Sequence, residues 1–289
     1  MEKEIFQIGL VQMDSSDDWD HNRRQAEAYI REAAAEGAAL VVLPETSDYI
    51  GTDFRGRASL VPGPVTEFYR EQAVKYGVWL HCGSITEQRT EGAPANTSLV
   101  FAPDGRLAGR YSKLHLFDVE LRDGPSYRES DDVAAGSEIA LVETPWCTMG
   151  LSICYDMRFP EMFRLMAERG AELLVNCANF TSNTGKDHWE PLLRARAIEN
   201  TCYVAAVGQC GQKPRFRAWG HTMLIDPWGK IIARLSREEE PGLAMGEIDL
   251  ARLRTVREQV PPAETPAGKG KETEEDRLCR ISCSMPRQR

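Results

Sequence analysis

The chain contains several short runs that are apolar at nearly every position, among them VVLPE at 41–45 and LLVNCANF at 173–180. Side chains along a strand point alternately to the two faces of a sheet, so such a run predicts a strand that is covered on both faces. Segments with helical spacing lie between the runs, as in Asp20–Glu36 and Pro160–Arg169. The sequence therefore predicts a layered α/β fold.

The order of strand, helix, strand and polar residue occurs twice along the chain, once over residues 5–45 and once over residues 149–179. This repeat predicts two similar sheets, each covered by helices on one side and packed face to face. We therefore expect a four-layer αββα sandwich in a single domain over residues 1–260. The segment 261–289 has Pro, Gly and mixed charge without apolar periodicity, which predicts a flexible tail.

Charge and cysteine content limit the partners and the compartment. The chain has 35 Lys+Arg against 44 Asp+Glu, a net charge of −9, and no local basic patch offsets it. An acidic surface repels phosphate backbones and anionic lipid, so we expect neither nucleic acid nor a membrane as a partner. The eight cysteines form no C-x-x-C pair, and the first residues lack the features of a signal peptide. These features predict buried free thiols and a cytoplasmic location.

The stretch GLSICYDMRFPE at 150–161 is the most informative about chemistry. An apolar strand is predicted to end at Cys154, and Pro160 is predicted to begin a helix shortly afterwards. A strand, a sharp turn and a helix in this order present a side chain at the edge of a sheet and leave main-chain N–H groups unpaired beside it. The pattern favours a nucleophile next to an oxyanion hole.

Three other kinds of site do not fit this stretch. In a cysteine phosphatase the arginine lies further from its cysteine than Arg158 lies from Cys154. The position that would hold it, 160, is proline here. The run GLSIC lacks the second glycine of a G-x-S-x-G turn. The P-C-x-x-C pair of a zinc deaminase is absent from the sequence, and we expect no metal site.

Two further charged residues lie in apolar surroundings. Glu45 ends the run VVLPE, where burial would raise its pKa and allow it to act as a general base. Lys113, in YSKLHLFD at 111–118, needs an anionic partner or a developing oxyanion nearby. Taken singly, a surface ion pair of these two residues and a structural thiol at Cys154 are the more common explanations.

The three motifs together resemble the nitrilase, or carbon–nitrogen hydrolase, superfamily. The resemblance runs from about Phe6 to about Val260 and includes HWEPLLRARAIEN at 188–200 and WGHTMLIDPWG at 219–229. It implies the αββα sandwich of that superfamily. It also implies a catalytic triad, whose general base, oxyanion-stabilising cation and nucleophile are Glu45, Lys113 and Cys154.

The motifs KLHLFD, CYDMRFPE and DHW are most similar to the Nit branch, which includes ω-amidase and deaminated-glutathione amidase. In that branch a second glutamate follows the lysine, and YRES places it at Glu129, where it would orient Lys113 and the amide nitrogen. The N–H of Tyr155 would complete the oxyanion hole. By the same resemblance, the substrate carboxylate would pair with Arg158, and Phe180 and Thr184 would line the pocket.

The resemblance implies a cysteine-dependent amidase that hydrolyses the terminal amide of a small carboxylate-bearing substrate. Deaminated glutathione and an ω-amide such as 2-oxoglutaramate are the expected substrates, with acid and ammonia formed through a thioester and without a cofactor. One alternative is hydrolysis of an N-carbamoyl amino acid or an aliphatic amide, because the triad does not select the acyl group. An alternative of another class is a catalytically silent binding or scaffold protein with the same fold.

Members of the superfamily commonly pair two subunits through the helices that follow the cysteine strand and its neighbour. Here those helices are predicted over Pro160–Arg169 and Asp187–Asn200, with Asp187 as the N-cap of the second. We therefore expect a homodimer or a higher homo-oligomer. The sequence departs from the branch after Val260, where EQV leads into PPAETPAGKGK, and this leaves the contact made by the C-terminal segment open.

Overall fold

Two β-sheets lie face to face at the centre of the computed structural model, which describes residues 4–120, 126–235, 237 and 239–262. The strands of these residues are β1 Ile5–Gln12, β2 Leu40–Val42, β3 Trp79–His81, β4 Ile85–Glu87, β5 Ala95–Phe101, β6 Leu107–Ser112, β7 Asp118–Val119, β8 Tyr127–Arg128, β9 Ala140–Glu143, β10 Thr148–Ile153, β11 Leu173–Ala178, β12 Tyr203–Gly208, β13 Met223–Ile225, β14 Ile231–Arg234 and β15 Gly242–Asp249. Their helices are α1 Trp19–Ala35, α2 Phe54–Arg57, α3 Pro64–Tyr76, α4 Pro160–Glu168, α5 Ser182–Asn200 and α6 Leu250–Gln259.

Both sheets have parallel strands at their centre. The first has the order β15-β1-β2-β3-β5-β4 with β6 paired to β5, and the second has the order β14-β13-β12-β11-β10-β9. Strands β1, β2 and β3 are parallel, and so are β10, β11 and β12. Strand β6 has the direction of β3 because each is antiparallel to β5. The carboxyl ends of β2 and β6 therefore lie at one edge of the first sheet.

The two sheets meet at their carboxyl edges. Met13 and Gln209, directly after β1 and β12, form a parallel bridge, and Cys210 donates its N–H to the carbonyl of Met13 at 2.8 Å. The sheets approach closely elsewhere too, because a Cβ at Gly109 of β6 would lie 2.3 Å from Cγ2 of Val142 on β9. Residues that follow the parallel strands of either sheet are thus brought to a common edge.

Alternating residues of the strands build the layers. In β2, Leu40 and Val42 belong to the core that includes the second sheet, whereas Val41 belongs to the core under α1 and α3. On the other side of the molecule, Phe163 of α4 and Trp189 of α5 pack on the second sheet. This arrangement confirms the four-layer αββα sandwich and explains why the central strands are apolar at every position.

Helix α5 begins earlier than its sequence indicates. It starts at Ser182, and the side chain of Thr181 caps it by accepting the N–H of Asn183 at 3.3 Å. Asp187 lies within the helix, so its prediction as the N-cap was wrong. The first turn, which contains serine, asparagine and glycine, has low intrinsic helix propensity, and the helix forms there because tertiary contacts outweigh propensity.

Two predictions concern the rest of the chain. The predicted tail, 261–289, lies outside the described residues except for its first two positions, so it stays a prediction. Among the residues that the structure describes, no helix is both long and apolar enough to cross a membrane.

Candidate active site

The three residues of the expected triad lie at the common carboxyl edge of the two sheets. Glu45 follows β2 in the loop after it, Lys113 directly follows β6, and Cys154 directly follows β10. All three are buried and line one cavity. The structure thus brings together side chains that are 68 and 41 positions apart, as their numbers 45, 113 and 154 show.

Lys113 lies between two carboxylates. Its Nζ donates to Oε1 of Glu45 at 3.0 Å, and to Oε2 and Oε1 of Glu129 at 2.8 and 3.0 Å. Burial alone would lower the pKa of Lys113, but the charges of Glu129 and Glu45 raise it well above its usual value. The side chain is therefore an ammonium ion at neutral pH, as an oxyanion donor must be.

The carboxylate of Glu45 is fixed from several sides. Besides Lys113, its Oε1 accepts the side-chain amide of Asn96 at 2.8 Å, and its Oε2 accepts the main-chain N–H of Asn179 at 2.5 Å. Its main-chain carbonyl accepts Nε2 of Gln209 at 2.9 Å. A carboxylate held in this way cannot change its direction during a proton transfer.

The thiol of Cys154 is neutral at rest. Burial raises the pKa of the Cys154 thiol well above its usual value, the charge of Glu45 raises it further, and Lys113 offsets only part of this. The residue has φ 49°, a left-handed conformation that a residue other than glycine rarely adopts. A neutral thiol needs a base before it can attack, because the thiolate is the nucleophile.

Asp156 connects the turn at Cys154 to the segment that contains Lys113. It is fully buried, and its Oδ2 accepts the N–H of Ile153 at 2.8 Å and the hydroxyl of Tyr111 at 2.6 Å. Its Oδ1 accepts the N–H of His115 at 3.1 Å. Asp156 was missed from the sequence, although an acid in the turn after a buried strand was a signal of a buried partner.

Tyr155, whose N–H is the predicted oxyanion donor, directly follows Cys154. Residues Cys154–Arg158 form a 3-10 helix, and Tyr155 is in its first turn. Main-chain N–H groups of a first turn have no acceptor inside their own helix. The ring of Tyr155 packs against two other rings, with its centroid 5.2 Å from that of Phe117 and 5.6 Å from that of Phe159.

Glu129 begins the 3-10 helix Glu129–Asp131 and contacts Lys113 directly. Its Oε2 also accepts the N–H of Phe117 at 2.7 Å, so the carboxylate joins two loops. We expect Glu129→Gln to lower kcat about 10- to 100-fold, because the amide keeps the shape and an acceptor but removes a charge that orients Lys113. Steady-state kinetics measure the effect, and Glu138→Gln, at a distant exposed glutamate, is the control. An unchanged kcat would show that the charge of Glu129 does not orient Lys113 for catalysis.

Of the three side chains predicted to bind the substrate, two line the cavity and the third lies beside it. Phe180 and Thr184 line the cavity, and Oγ1 of Thr184 is buried without a partner among the described residues. Arg158 is not among the described lining residues. Its guanidinium lies 5.5 Å from the ring centroid of Phe180 and 3.2 Å from Nδ1 of His188. Arg158 is thus next to the cavity wall.

Several residues that line the cavity were missed from the sequence. Asn96 and Asn179 hold Glu45, and the buried hydroxyl of Tyr127 has no partner in the described part of the chain. Lys213 is buried and donates to Oδ1 of Asp14 at 2.6 Å. The basic run KPRFR within an acidic chain was the available signal for this last wall. The other lining residues are Thr46, Ile50, Gly51, Phe54, Thr86, Phe117, Arg128, Asp132, Val133, Thr181, Pro214, Arg215 and Phe216.

The fold and the site define a class of protein, in which two stacked α/β layers enclose a buried cysteine, glutamate and lysine in one cavity. The sequence pattern of carbon–nitrogen hydrolases matches residues 7–258 of the chain. The chain belongs to the carbon–nitrogen hydrolase family, as its motifs predicted, and is an enzyme that hydrolyses carbon–nitrogen bonds.

The chain is similar in sequence to individual relatives over most of its length. The chain is 39% identical over 259 residues to omega-amidase NIT2 of Homo sapiens, with 89% of this chain and 93% of that protein covered. It is 42% identical over 263 residues to deaminated glutathione amidase of Synechocystis, with 89% and 96% covered. The crystal structure of Saccharomyces cerevisiae Nit3, a nitrilase superfamily member, matches with a TM-score of 0.83 and 30% identity over 90% of this chain and 96% of that chain.

Proposed function

We propose that the chain is an amidase with Cys154 as its nucleophile, and that it hydrolyses the amide of a small substrate bearing a carboxylate. One observation supports this most strongly: a neutral thiol, a fixed carboxylate and a buried ammonium ion line the same cavity. The names of the relatives, omega-amidase and deaminated glutathione amidase, favour an acyl group with a carboxylate. A silent scaffold protein would have no need to retain three buried ionisable groups.

Acylation begins with proton transfer from Sγ of Cys154 to Glu45. The thiolate attacks the amide carbonyl carbon, and the oxyanion that forms is held by Nζ of Lys113 and the N–H of Tyr155. Glu45 then passes its proton to the amide nitrogen as the carbon–nitrogen bond breaks. Ammonia leaves from a primary amide, or the dipeptide amine from deaminated glutathione, and a thioester to Cys154 remains.

Deacylation repeats the same steps with water. Glu45 takes a proton from the water while the water oxygen attacks the thioester carbonyl. Nζ of Lys113 and the N–H of Tyr155 again hold the oxyanion that forms. The carbon–sulfur bond breaks, the acid is released, and the proton on Glu45 returns to Sγ. Lys113 keeps its charge throughout because the charge of Glu129, which raises its pKa, stays beside it while Glu45 carries the proton.

A substrate panel tests this proposal. Purified enzyme is incubated with 2-oxoglutaramate, deaminated glutathione, a neutral aliphatic amide of equal length and an N-carbamoyl amino acid. Ammonia is measured for the primary amides and for the N-carbamoyl amino acid. The released dipeptide amine is measured for deaminated glutathione. We expect kcat/KM to be highest for the carboxylate-bearing amides. Preference for the neutral amide or the carbamoyl compound would contradict the proposed substrate class.

We propose that Arg158, from its position beside Phe180, binds the carboxylate of the substrate. We expect Arg158→Lys to lower kcat/KM about tenfold for the carboxylate-bearing amide and much less for the neutral amide, because an ammonium ion cannot form two parallel hydrogen bonds. His188→Ala, which removes the side chain that now contacts Arg158, serves as the control for local packing. Equal losses on both amides would mean that Arg158 only supports the turn around Cys154.

The predicted oligomer and compartment remain proposals. Two large apolar side chains near α5 are half exposed, Ile198 at 48% and Trp228 at 53%. Gly229, the residue after Trp228, lies against Ile198, because a Cβ at Gly229 would lie 2.5 Å from Cγ1 of Ile198. This patch supports pairing of two subunits through α5. The free, buried thiols of the described cysteines support a reducing compartment such as the cytoplasm.

A further inference from the structure

Two side-chain carbonyl oxygens beside Glu45 are buried without a hydrogen-bond donor. They are Oδ1 of Asn96 and Oδ1 of Asn179, and neither has a partner among the described residues. Buried polar atoms in folded proteins nearly always have a partner, so each exception needs an explanation. Both residues line the cavity that contains Cys154, which makes a bound substrate the natural donor.

The contacts of Glu45 place both residues next to the group that handles the proton. Asn96 donates its Nδ2 to Oε1 of Glu45 at 2.8 Å, and Asn179 donates its main-chain N–H to Oε2 at 2.5 Å. The leaving nitrogen must approach the same carboxylate to receive its proton. The two asparagines are therefore beside the path of that nitrogen.

The orientation of the Asn96 amide follows from its neighbours. Its Nδ2 lies 2.8 Å from one carboxylate oxygen of Glu45 and 3.4 Å from one of Glu129. Exchanging nitrogen and oxygen would set an acceptor against two acceptors. The carbonyl oxygen of Asn96 is thus the end that is left for another donor.

We propose that Asn96 and Asn179 form an amine subsite, whose two carbonyl oxygens accept the N–H groups of the scissile amide and of the ammonia that leaves. This inference rests on the proposed amidase function. A primary amide supplies two N–H donors, whereas the bridging oxygen of an ester supplies none. When both N–H groups are bound, the lone pair of the tetrahedral nitrogen is free to take the proton from Glu45. The subsite therefore selects amides over esters.

The test compares an amide with the methyl ester of the same acyl group. Asn179→Ala removes the carbonyl oxygen but keeps the main-chain N–H that holds Glu45, so activation of Cys154 is retained. We expect it to lower the ratio of kcat/KM for the amide to kcat/KM for the ester about five- to tenfold, the effect of one lost hydrogen bond. Asn183→Ala, an exposed position four residues later, is the matched control and leaves the ratio unchanged.

A second variant covers the other oxygen. Asn96→Ala also removes a donor to Glu45, so both substrates should become slower, with the amide affected five- to tenfold more than the ester. The amine subsite is contradicted if the folded Asn179→Ala and Asn96→Ala enzymes both keep the parental ratio of amide to ester kcat/KM, even where both activities fall. A parent enzyme without any amide hydrolysis would overturn the proposed function, and the subsite with it.

Discussion

Cys154→Ala is expected to abolish amide hydrolysis, with a loss of kcat/KM of roughly 10⁴-fold or more. The methyl group cannot form the thioester, and the remaining oxyanion donors act only on direct attack by water. Folding should be retained, because the thiol is neutral at rest and no charge loses its partner. Alanine keeps the same left-handed backbone at φ 49°, so the turn gains no new strain. Ammonia release and thermal unfolding measure the two effects.

The control for this variant is Cys147→Ala, which removes another buried thiol that does not line the cavity. It should retain nearly all activity. If the folded Cys154→Ala enzyme turned over an amide at close to the parental rate, Cys154 could not be the nucleophile.

Lys113→Met is expected to have the second largest effect, through both rate and stability. Loss of one oxyanion donor costs about 10²- to 10³-fold in kcat. The same change leaves the carboxylates of Glu45 and Glu129 beside each other without their cation. Removing one partner of a buried ion pair typically costs about 3–5 kcal/mol of the free energy of unfolding. We therefore expect a low kcat together with a lower midpoint of denaturant unfolding.

Lys75→Met is the matched control, because Lys75 also pairs with a glutamate, Glu27 at 2.7 Å, but on the surface. An exposed pair contributes about 0–1 kcal/mol, so this variant should keep the activity and most of the stability. Kinetics and denaturant unfolding are measured on both variants. Parental kcat in the Lys113→Met enzyme would exclude the ammonium ion from oxyanion binding.

The fold could be predicted because its signals are local. Strands that are apolar on both faces require two covering layers. Glu45 and Cys154 stand in the loop after such a strand or directly after it, whereas Lys113 follows β6, a strand that is only partly buried. Parallel strands bring their carboxyl ends to one edge, but the three motifs predicted a single site only through their joint resemblance to the carbon–nitrogen hydrolase family.

The rest of the site depends on contacts between distant parts of the chain. Asn96 and Asn179 are 51 and 134 positions from Glu45, and an asparagine near a strand end gives no signal of the carboxylate it will meet. Spacing likewise predicted that Arg158 lies just before α4, but it could not predict that the guanidinium lies beside the ring of Phe180. The start of α5 was missed because its first turn forms by packing and not by propensity.

The central claim is that the acyl group passes through a thioester on Cys154. The most direct test is rapid acid quenching of the enzyme during turnover of an ω-amide, followed by mass spectrometry of its peptides. The account predicts that the peptide containing Cys154 gains the mass of the amide minus ammonia, and that hydroxylamine removes the added group. An adduct on any other residue, or steady turnover with no adduct on Cys154 at any quench time, would contradict the account.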